Sequence, residues 1–287
     1  PFEELKSLKD DIEIFFRLSE AQESEFTQDL KLEKIPKTFG NLLELNGAQF
    51  NESNILNNFT FNWTRLDDDR LKKIGSAELR GDKLWYINQD YNELIEQVSL
   101  TNKIAQNGGI KAMFSIGGIN YAYVAYVDGM CASARIISLS SNNIVLQLPC
   151  LSKSDVDLNG VGGGWLKLSD NEILFSTGTP TSAHVENEIN QLAQDDNSLW
   201  GKILKLTIEN DNITAEIFTK GHRNPQGITN IEGDIIAVEH GPMGGDEINL
   251  IIKNNNYEWP LQSLGSEYDL NEINKSYSNS IDTNLPI

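Results

Sequence analysis

The sequence predicts an all-β protein built as a meander of short antiparallel strands. From about residue 80 onward, short runs rich in β-branched and aromatic residues alternate with turns made of Gly, Asn and Asp. The same region lacks the long helices that would alternate with strands in a βαβ fold. This pattern leaves barrel, sandwich and propeller architectures open.

The predicted elements begin with an amphipathic helix over residues 2–22, inside an N-terminal extension that we place at residues 1–65. Its apolar side chains recur every three or four residues, at Phe2, Leu5, Leu8, Ile12, Phe15 and Phe16. Acidic residues are at least as common as basic ones between them, whereas a membrane-surface helix favours Lys and Arg. We therefore expect this helix to pack on the domain or on a partner.

The strands are predicted within a β-region at residues 66–287. They cover 83–89, 122–127, 134–139, 144–148, 172–176, 202–208, 213–219, 234–239 and 247–252. A propeller blade takes roughly 40–50 residues. The region therefore has room for four or five blades at most.

The charge of the chain excludes several classes of partner. Lys and Arg number 23 against 42 Asp and Glu, which gives a formal net charge of -19. Such a chain repels nucleic acid and anionic membrane surfaces. It contains no run of about 18 apolar residues, so no transmembrane segment is expected. Because the sequence begins at Pro1, we expect it to be a processed or partial form.

Two cysteines, Cys131 and Cys150, flank a predicted hairpin over residues 134–148. In an antiparallel pair they would lie roughly opposite each other. Two alternatives stay open: a disulfide worth about 3 kcal/mol, or two buried thiols. A disulfide would indicate an oxidising compartment.

Two segments carry candidate chemistry. Residues 221–227 read GHRNPQG, in which Arg223 offers a planar donor fork, Asn224 lies beside it, and Pro225 and Gly227 are expected to fix a turn. An ordinary connecting loop would have a similar composition.

Residues 239–249 read EHGPMGGDEIN, where backbone carbonyls and carboxylates are dense. Hard oxygen ligands of this kind suit Ca²⁺. The alternative is a Gly-rich hairpin turn with solvated acids.

In this order and spacing, followed by NYEWP at residues 256–260, these segments resemble the soluble pyrroloquinoline-quinone (PQQ)-dependent aldose sugar dehydrogenases, the glucose/sorbosone dehydrogenase family. The resemblance covers roughly residues 80–287 and is specific in 199–260. It implies a six-bladed β-propeller, of which this chain covers about four blades. PQQ and Ca²⁺ would sit at the mouth of the central channel, where an aldose is oxidised at C1.

The resemblance also assigns roles to individual residues. Arg223 and Asn224 would contact the quinone, with Arg223 steadying negative charge as a catalytic residue. Carbonyls of Gly241 and Pro242 would bind the active-site Ca²⁺. Glu247 and Tyr257 match positions linked to a second, structural Ca²⁺.

One further cofactor contact depends on a one-residue choice of register. The quinone-contacting glutamine of the family falls at Gln106 or Asn107, and Asn107 is our choice. The predicted quinone contacts at Asn107 and at Arg223 and Asn224 lie far apart in the sequence.

The chain departs from the family pattern where the chemistry is most demanding. The general-base histidine of the family would stand at Val161, and an arginine at Trp165. Valine accepts no proton. His184 is either a relocated base or a surface residue, and Glu258 replaces a glycine of the NYGWP-type turn, which is expected to alter that turn.

The late blades of the family supply a lysine and further arginines for the quinone carboxylates, and the chain ends before them. We expect the natural protein to continue past Ile287. Two functions follow as alternatives. One is a periplasmic or extracellular sugar dehydrogenase in which Val161 replaces the general-base histidine. The other is a non-catalytic propeller that binds a glycan, a protein or a cell-surface component.

Overall fold

Short antiparallel strands dominate the structure, a computed structural model that describes residues 41–44, 52–56, 59–63, 73–80, 83–209, 212–267 and 273. The predicted helix over residues 2–22 lies outside them. The strands are β1 (Asn41–Glu44), β2 (Glu52–Leu56), β3 (Phe59–Trp63), β4 (Ile74–Arg80), β5 (Lys83–Asn88), β6 (Gly109–Ile116), β7 (Ile119–Asp128), β8 (Cys131–Ser138), β9 (Ile144–Gln147), β10 (Leu151–Ser152), β11 (Gly162–Lys167), β12 (Glu172–Thr177), β13 (Lys202–Glu209), β14 (Asn212–Lys220), β15 (Pro225–Ile231), β16 (Asp234–Glu239) and β17 (Glu247–Leu250). Two short helices join them, α1 (Asn92–Gln97) and α2 (Glu188–Gln191).

The strands form four successive sheets and one separate hairpin. The first sheet has the order β1-β5-β4, the second β6-β7-β8-β10 with β9 also on β8, the third β11-β12-β13-β14 and the fourth β15-β16-β17. Strands β2 and β3 pair only with each other within the described part. Strand β1 falls within the expected extension at residues 1–65, yet it pairs with β5.

One strand of each sheet faces a common centre. These four inner strands are β4, β6, β11 and β15, and each contacts the next in that order. Antiparallel sheets arranged around a central channel are the blades of a β-propeller. The predicted all-β propeller is therefore confirmed, with four sheets in the described residues.

Each inner strand carries a β-bulge where it faces the common centre of the sheets. The pairing shifts between Ile74 and Ser76 in β4 and between Ile110 and Ala112 in β6. It shifts again within residues 162–165 of β11 and 225–227 of β15. A bulge inserts an extra residue and redirects its side chain. A side chain at Gly75 would place its Cβ 2.1 Å from the carbonyl oxygen of Ile110, so this bulge requires glycine.

The turn expected over residues 221–227 is shorter than predicted. Pro225 and Gly227, which were expected to fix it, belong to β15 instead. Proline is tolerated as the first residue of a strand because it lacks only a donor. Gly227 follows directly on the bulge.

An apolar core joins the second and third sheets. Tyr123 and Phe175 are fully buried and meet edge to face, with ring centroids 4.9 Å apart. Phe114 lies 5.8 Å from the Phe175 ring. Val161 belongs to the same core and is fully buried.

Cys131 and Cys150 form a disulfide, which decides between the two alternatives for these residues. It ties the start of β8 to the segment before β10, where Ser152 pairs with Cys131. Among the described residues, no helix combines the length and apolar character that crossing a membrane requires.

Candidate functional site

A cavity of about 850 Å³ opens where the four inner strands converge. Its wall also includes the turns at residues 157–160, 179–182 and 240–246. The charged or titratable side chains on the wall are Lys111, Asp157, Arg223, His240 and Asp246. A concave, mostly preformed pocket with a few convergent polar groups is the usual form of a small-molecule site.

Arg223 is held against the cavity wall by its guanidinium group. Nη1 donates to the carbonyl oxygens of His240 at 3.0 Å and Gly241 at 2.7 Å. The guanidinium carbon lies 5.5 Å from the ring centroid of Trp259, within cation–π range. The arginine predicted from the sequence thus lines the cavity in a defined orientation.

A buried carboxylate fixes the backbone on which Arg223 stands. Glu239 accepts hydrogen bonds from the backbone N–H of Arg223 and from that of Asn224, the latter at 3.1 Å. The other oxygen of Glu239 lies 2.9 Å from His222 Nδ1. His222 Nε2 lies 2.8 Å from Thr219 Oγ1, so both ring nitrogens of this buried histidine contact protein groups.

Asn224 links two inner strands. Its side-chain oxygen accepts from the N–H of Gly162 at 3.0 Å, and its own backbone oxygen accepts from the N–H of His240 at 3.1 Å. The residue is buried but lines the cavity. The sequence prediction placed Asn224 beside the ligand, and the structure places it at the junction of β11 and β15.

Two side chains of the cavity wall come from bulges, and the sequence prediction missed both. Lys111 donates through Nζ to the carbonyl of Asn107 at 2.6 Å, and Gln226 donates to the carbonyl of Asn159 at 3.2 Å. Burial lowers the pKa of Lys111 to about 8, against the opposing charge of Asp157. A lysine between two apolar residues, just after the two glycines at 108 and 109, was the available signal.

His240 lines the cavity, whereas His184 does not. His240 Nε2 lies 3.1 Å from Gln226 Oε1, and its Nδ1 lies 3.7 Å from Asp246 Oδ1. His184 is half-exposed, with Nδ1 3.3 Å from Glu267. Sequence reasoning considered His184 as a relocated base and did not consider His240.

The residue at the expected general-base position faces away from the cavity. The Val161 side chain packs in the apolar core, and its carbonyl oxygen accepts from the Tyr123 hydroxyl at 2.9 Å. Trp165, at the expected arginine position, lines the cavity with its ring 5.9 Å from that of Phe114.

The sequence matches a known protein family over about half of its length. A family model described as Glucose / Sorbosone dehydrogenase matches residues 138–287, just over half of the chain. The chain belongs to the glucose/sorbosone dehydrogenase family. The resemblance inferred from residues 199–260 is thereby confirmed.

Relatives match over part of their length. The aldose sugar dehydrogenase YliI of Escherichia coli K12 is 43% identical over 96 residues, which cover 29% of this chain and 26% of that protein. Quinoprotein glucose dehydrogenase B of Acinetobacter calcoaceticus is 39% identical over 92 residues, 29% of this chain and 18% of the relative. The matched stretches thus span about a quarter or less of these relatives.

Solved structures of two sugar dehydrogenases also match part of the chain. The soluble aldose sugar dehydrogenase of Escherichia coli in its apo form is 26% identical, covers 62% of this chain and 57% of that chain, and has a TM-score of 0.45. A glucose dehydrogenase crystal structure is 25% identical over the same shares, with a TM-score of 0.48.

The residues that family resemblance assigns to the active-site Ca²⁺ make other contacts. The carbonyl of Gly241 accepts from the Arg223 guanidinium, and the carbonyl of Pro242 accepts from the N–H of Gly245 at 3.0 Å. Gly241 has no room for a side chain, since its Cβ would lie 1.7 Å from the Gly245 oxygen. In the described ranges, no group of three or more His, Cys, Asp or Glu side chains is arranged to hold a metal. A calcium ion at this position would have to share these carbonyls with the Arg223 guanidinium and the Gly245 N–H.

The residues assigned to the structural Ca²⁺ and to the early quinone contact also have protein partners. Glu247 accepts from Asn249 at 3.1 Å, and burial, with Glu239 nearby, raises the pKa of Glu247 to about 7. The Tyr257 hydroxyl donates to the carbonyl of Leu250. Asn107 donates to Asp157 at 3.0 Å, and neither Asn107 nor Gln106 is among the residues that line the cavity.

Proposed function

We propose that this chain is part of a PQQ-dependent sugar dehydrogenase that binds the quinone and an aldose in the central cavity and oxidises the sugar at C1. The observation that carries the proposal is the placement of Arg223. It stands on the cavity wall inside the family match, with its guanidinium held by two carbonyls and an aromatic ring. Family membership and the name of the Acinetobacter relative support the choice of a quinone and a sugar.

The cavity suits a polar anionic cofactor by the chemistry of its donors. Two cations, Lys111 and Arg223, stand on its wall with the amide side chains of Asn159 and Gln226. PQQ carries carboxylates and, when bound, supplies an acceptor for the hydride that leaves the sugar. Arg223 would bind the cofactor and stabilise negative charge that develops during hydride transfer, an electrostatic role that a fixed guanidinium fills well. Calcium enters no step of this proposal.

Proton removal is the weak step of the proposed reaction. Position 161 offers no base, because valine has none and its side chain points into the core. A positioned general base typically contributes about 10²–10⁴ to the rate. We therefore expect turnover lower by about that factor than in a dehydrogenase with its histidine in place.

The test is reconstitution of the 287-residue chain with PQQ, followed by cofactor binding and dye-linked oxidation of D-glucose. We expect PQQ to bind, glucose to be oxidised slowly, and Arg223→Met to lose both properties. Lys167→Met is the matched control, because Lys167 is exposed and pairs only with Asp170 on the surface. Equal PQQ binding by wild type and Arg223→Met would contradict the proposal.

A second candidate function rests on the burial of Val161. A propeller without a base at that position would bind a glycan or another polar ligand without converting it. Sugar binding with no turnover in the presence of bound PQQ would select this function. The disulfide and the family both favour a periplasmic or extracellular location for either function.

A further inference from the structure

Lys111 reaches the cavity because it occupies a bulge. Ile110 pairs with Val124 and Ala112 with Tyr123, which leaves Lys111 as the extra residue of β6. Ile110 and Ala112 are both buried, whereas Lys111 lines the cavity. In a regular strand Ile110 and Ala112 would face the same side of the sheet, whereas here they pack in two different core clusters and Lys111 is the extra residue between them.

The ammonium group of Lys111 is incompletely compensated. It has three N–H donors, and its protein contacts are one short bond to the Asn107 carbonyl at 2.6 Å and a longer one to Asn159 Oδ1 at 3.4 Å. Within the part of the chain that the structure describes, Lys111 has no carboxylate at ion-pair distance. Asp157 attracts it from farther away, and one Asp157 oxygen already accepts from Asn107 and from the N–H of Asn159, each at 3.0 Å.

A second buried lysine shows what a purely structural lysine looks like in this fold. Lys202 Nζ donates to the carbonyls of Leu192 at 2.8 Å, Ala193 at 3.0 Å and Trp200 at 2.8 Å. All three donors are therefore used, and Lys202 is not part of the cavity wall. Lys111 differs in both respects, because among the described residues one of its donor directions has no partner, and its side chain faces the cavity.

We propose that Lys111 binds a carboxylate group of the molecule that occupies the central cavity. This inference rests on the proposed function in that it takes the same cavity as the ligand site. Two sources can supply the carboxylate: the quinone cofactor, or an acidic sugar such as a uronate bound as substrate. Lys111 then contacts the ligand from β6, and Arg223 contacts it from the segment before β15.

The experiment measures ligand affinity in wild type, Lys111→Met, Lys111→Arg and the surface control Lys167→Met. PQQ binding is followed by tryptophan fluorescence, and binding of D-glucuronate and neutral D-glucose by calorimetry. We expect Lys111→Met to raise the Kd for a carboxylate ligand about tenfold or more, because charged hydrogen bonds are the strong ones. Lys111→Arg should stay within a few-fold of wild type, since Arg keeps the charge, and glucose affinity should not change.

The ligand whose Kd responds identifies the source. A change for PQQ assigns the carboxylate to the cofactor, and a change for glucuronate alone assigns it to the substrate. A second readout needs no turnover: acetic anhydride labelling at pH 8, mapped by mass spectrometry, should modify Lys111 less when the responding ligand is bound. Labelling of Lys167 should be the same with and without ligand.

Several results would overturn the inference. The inference is wrong if Lys111→Met binds both carboxylate ligands as tightly as wild type, or if it loses as much affinity for glucose as for them. It is also wrong if Lys111→Arg does not retain binding, or if wild type binds neither carboxylate ligand. The proposed function fails separately: wild type that binds a carboxylate through Lys111 but oxidises no sugar contradicts the dehydrogenase alone. Conversely, wild type that oxidises glucose while Lys111→Met binds normally contradicts only this inference.

Discussion

The second and third sheets are joined by aromatic and aliphatic side chains, whereas the junction of the third and fourth sheets beside the cavity is built from buried polar groups. Tyr123 and Phe175 pack in the first region. His222, Asn224 and Glu239 form the second, although a smaller apolar cluster that includes Ile203 also spans it. We call these two regions the apolar core and the polar junction.

The difference shows that a family motif contains both residues that face the cavity and residues that support them from behind it. Within 221–224, Arg223 and Asn224 line the cavity, and Asn224 also accepts from the N–H of Gly162. His222 is buried and contacts the side chains of Thr219 and Glu239. Within 239–241, Glu239 anchors Arg223 and the carbonyl of Gly241 receives its guanidinium. The polar junction thus orients the ligand-facing arginine, while the apolar core supplies the stability that such buried polar groups do not add by themselves.

The largest loss of stability is expected for a substitution in the apolar core. Phe175→Ala removes a fully buried ring that contacts Tyr123 and Phe114, and substitutions of this kind cost about 3–5 kcal/mol. The free energy of unfolding from urea titration measures the loss. Phe175→Leu, which keeps most of the volume, should cost clearly less. Equal losses for the two variants would mean that the cavity left in the core is not the cause.

The next effect concerns a charge buried beside the polar junction and depends on pH. Burial lowers the pKa of Lys202 from 10.5 to about 8, so between these values the unfolded chain binds more protons than the folded chain. The free energy of unfolding therefore rises with pH across this window, and the shift corresponds to about 3 kcal/mol. Lys202→Met lacks this contribution.

The measurement compares urea unfolding of wild type and Lys202→Met at pH 7.5 and pH 10. Wild type should gain more stability than the variant on going to the higher pH. Other groups titrate in the same range, so the difference between the two proteins is the quantity that matters. Parallel pH profiles would show that Lys202 does not titrate differently on folding.

A third effect tests the link between the polar junction and the site. Glu239→Gln keeps the shape of the side chain but removes the charge that faces His222 and the backbone N–H groups of Arg223 and Asn224. Charged hydrogen bonds of this kind contribute about 1.5–3 kcal/mol, so we expect a loss of about 2 kcal/mol together with weaker PQQ binding. Glu172→Gln, in a partly exposed pair with Lys205, should change stability by less than about 1 kcal/mol. A stability loss with unchanged PQQ affinity would separate the junction from the site.

The sequence predicted the strands away from the centre better than the four inner ones. Predicted strands at 83–89, 122–127 and 172–176 overlap β5, β7 and β12, because apolar, β-branched and aromatic residues mark buried strands. The inner strands β4, β6, β11 and β15 were missed. Their glycines allow close approach at the centre, and their bulges interrupt the two-residue period on which a strand prediction depends.

The site was predictable only where a motif marked it. Arg223, Asn224, Gly241 and Pro242 do line one cavity. Lys111 was not predicted, because a single lysine has no motif and its direction depends on the bulge. Val161 shows the opposite limit: the resemblance to the family predicts that it stands at the position of the histidine, but not that its side chain packs in the core.

The smallest change in stability is expected at Glu258, which lies at the edge of the polar junction. Glu258, where the family usually has glycine, adopts a left-handed backbone with φ 70°. Glycine adopts this conformation readily, whereas it costs a non-glycine residue roughly 1–2 kcal/mol. The N–H of Tyr257 donates to the carbonyl of Lys220 at 2.9 Å, and the N–H of Trp259 donates to the carbonyl of Gly221 at 3.0 Å. These bonds hold the turn at Glu258 against the end of β14, just before Arg223.

Glu258→Gly should raise the free energy of unfolding by up to about 1 kcal/mol, because relief of the left-handed conformation exceeds the entropy that glycine adds to the unfolded chain. Glu258→Ala is the matched control: it also removes the carboxylate but keeps the Cβ atom, so it should give no gain. Thermal unfolding of the three proteins side by side measures both changes. A gain for both variants would point to the removed charge, and no gain for glycine would mean that the backbone at this position is not strained. A gain for glycine alone would show that the backbone at Glu258 is strained, at the edge of the polar junction.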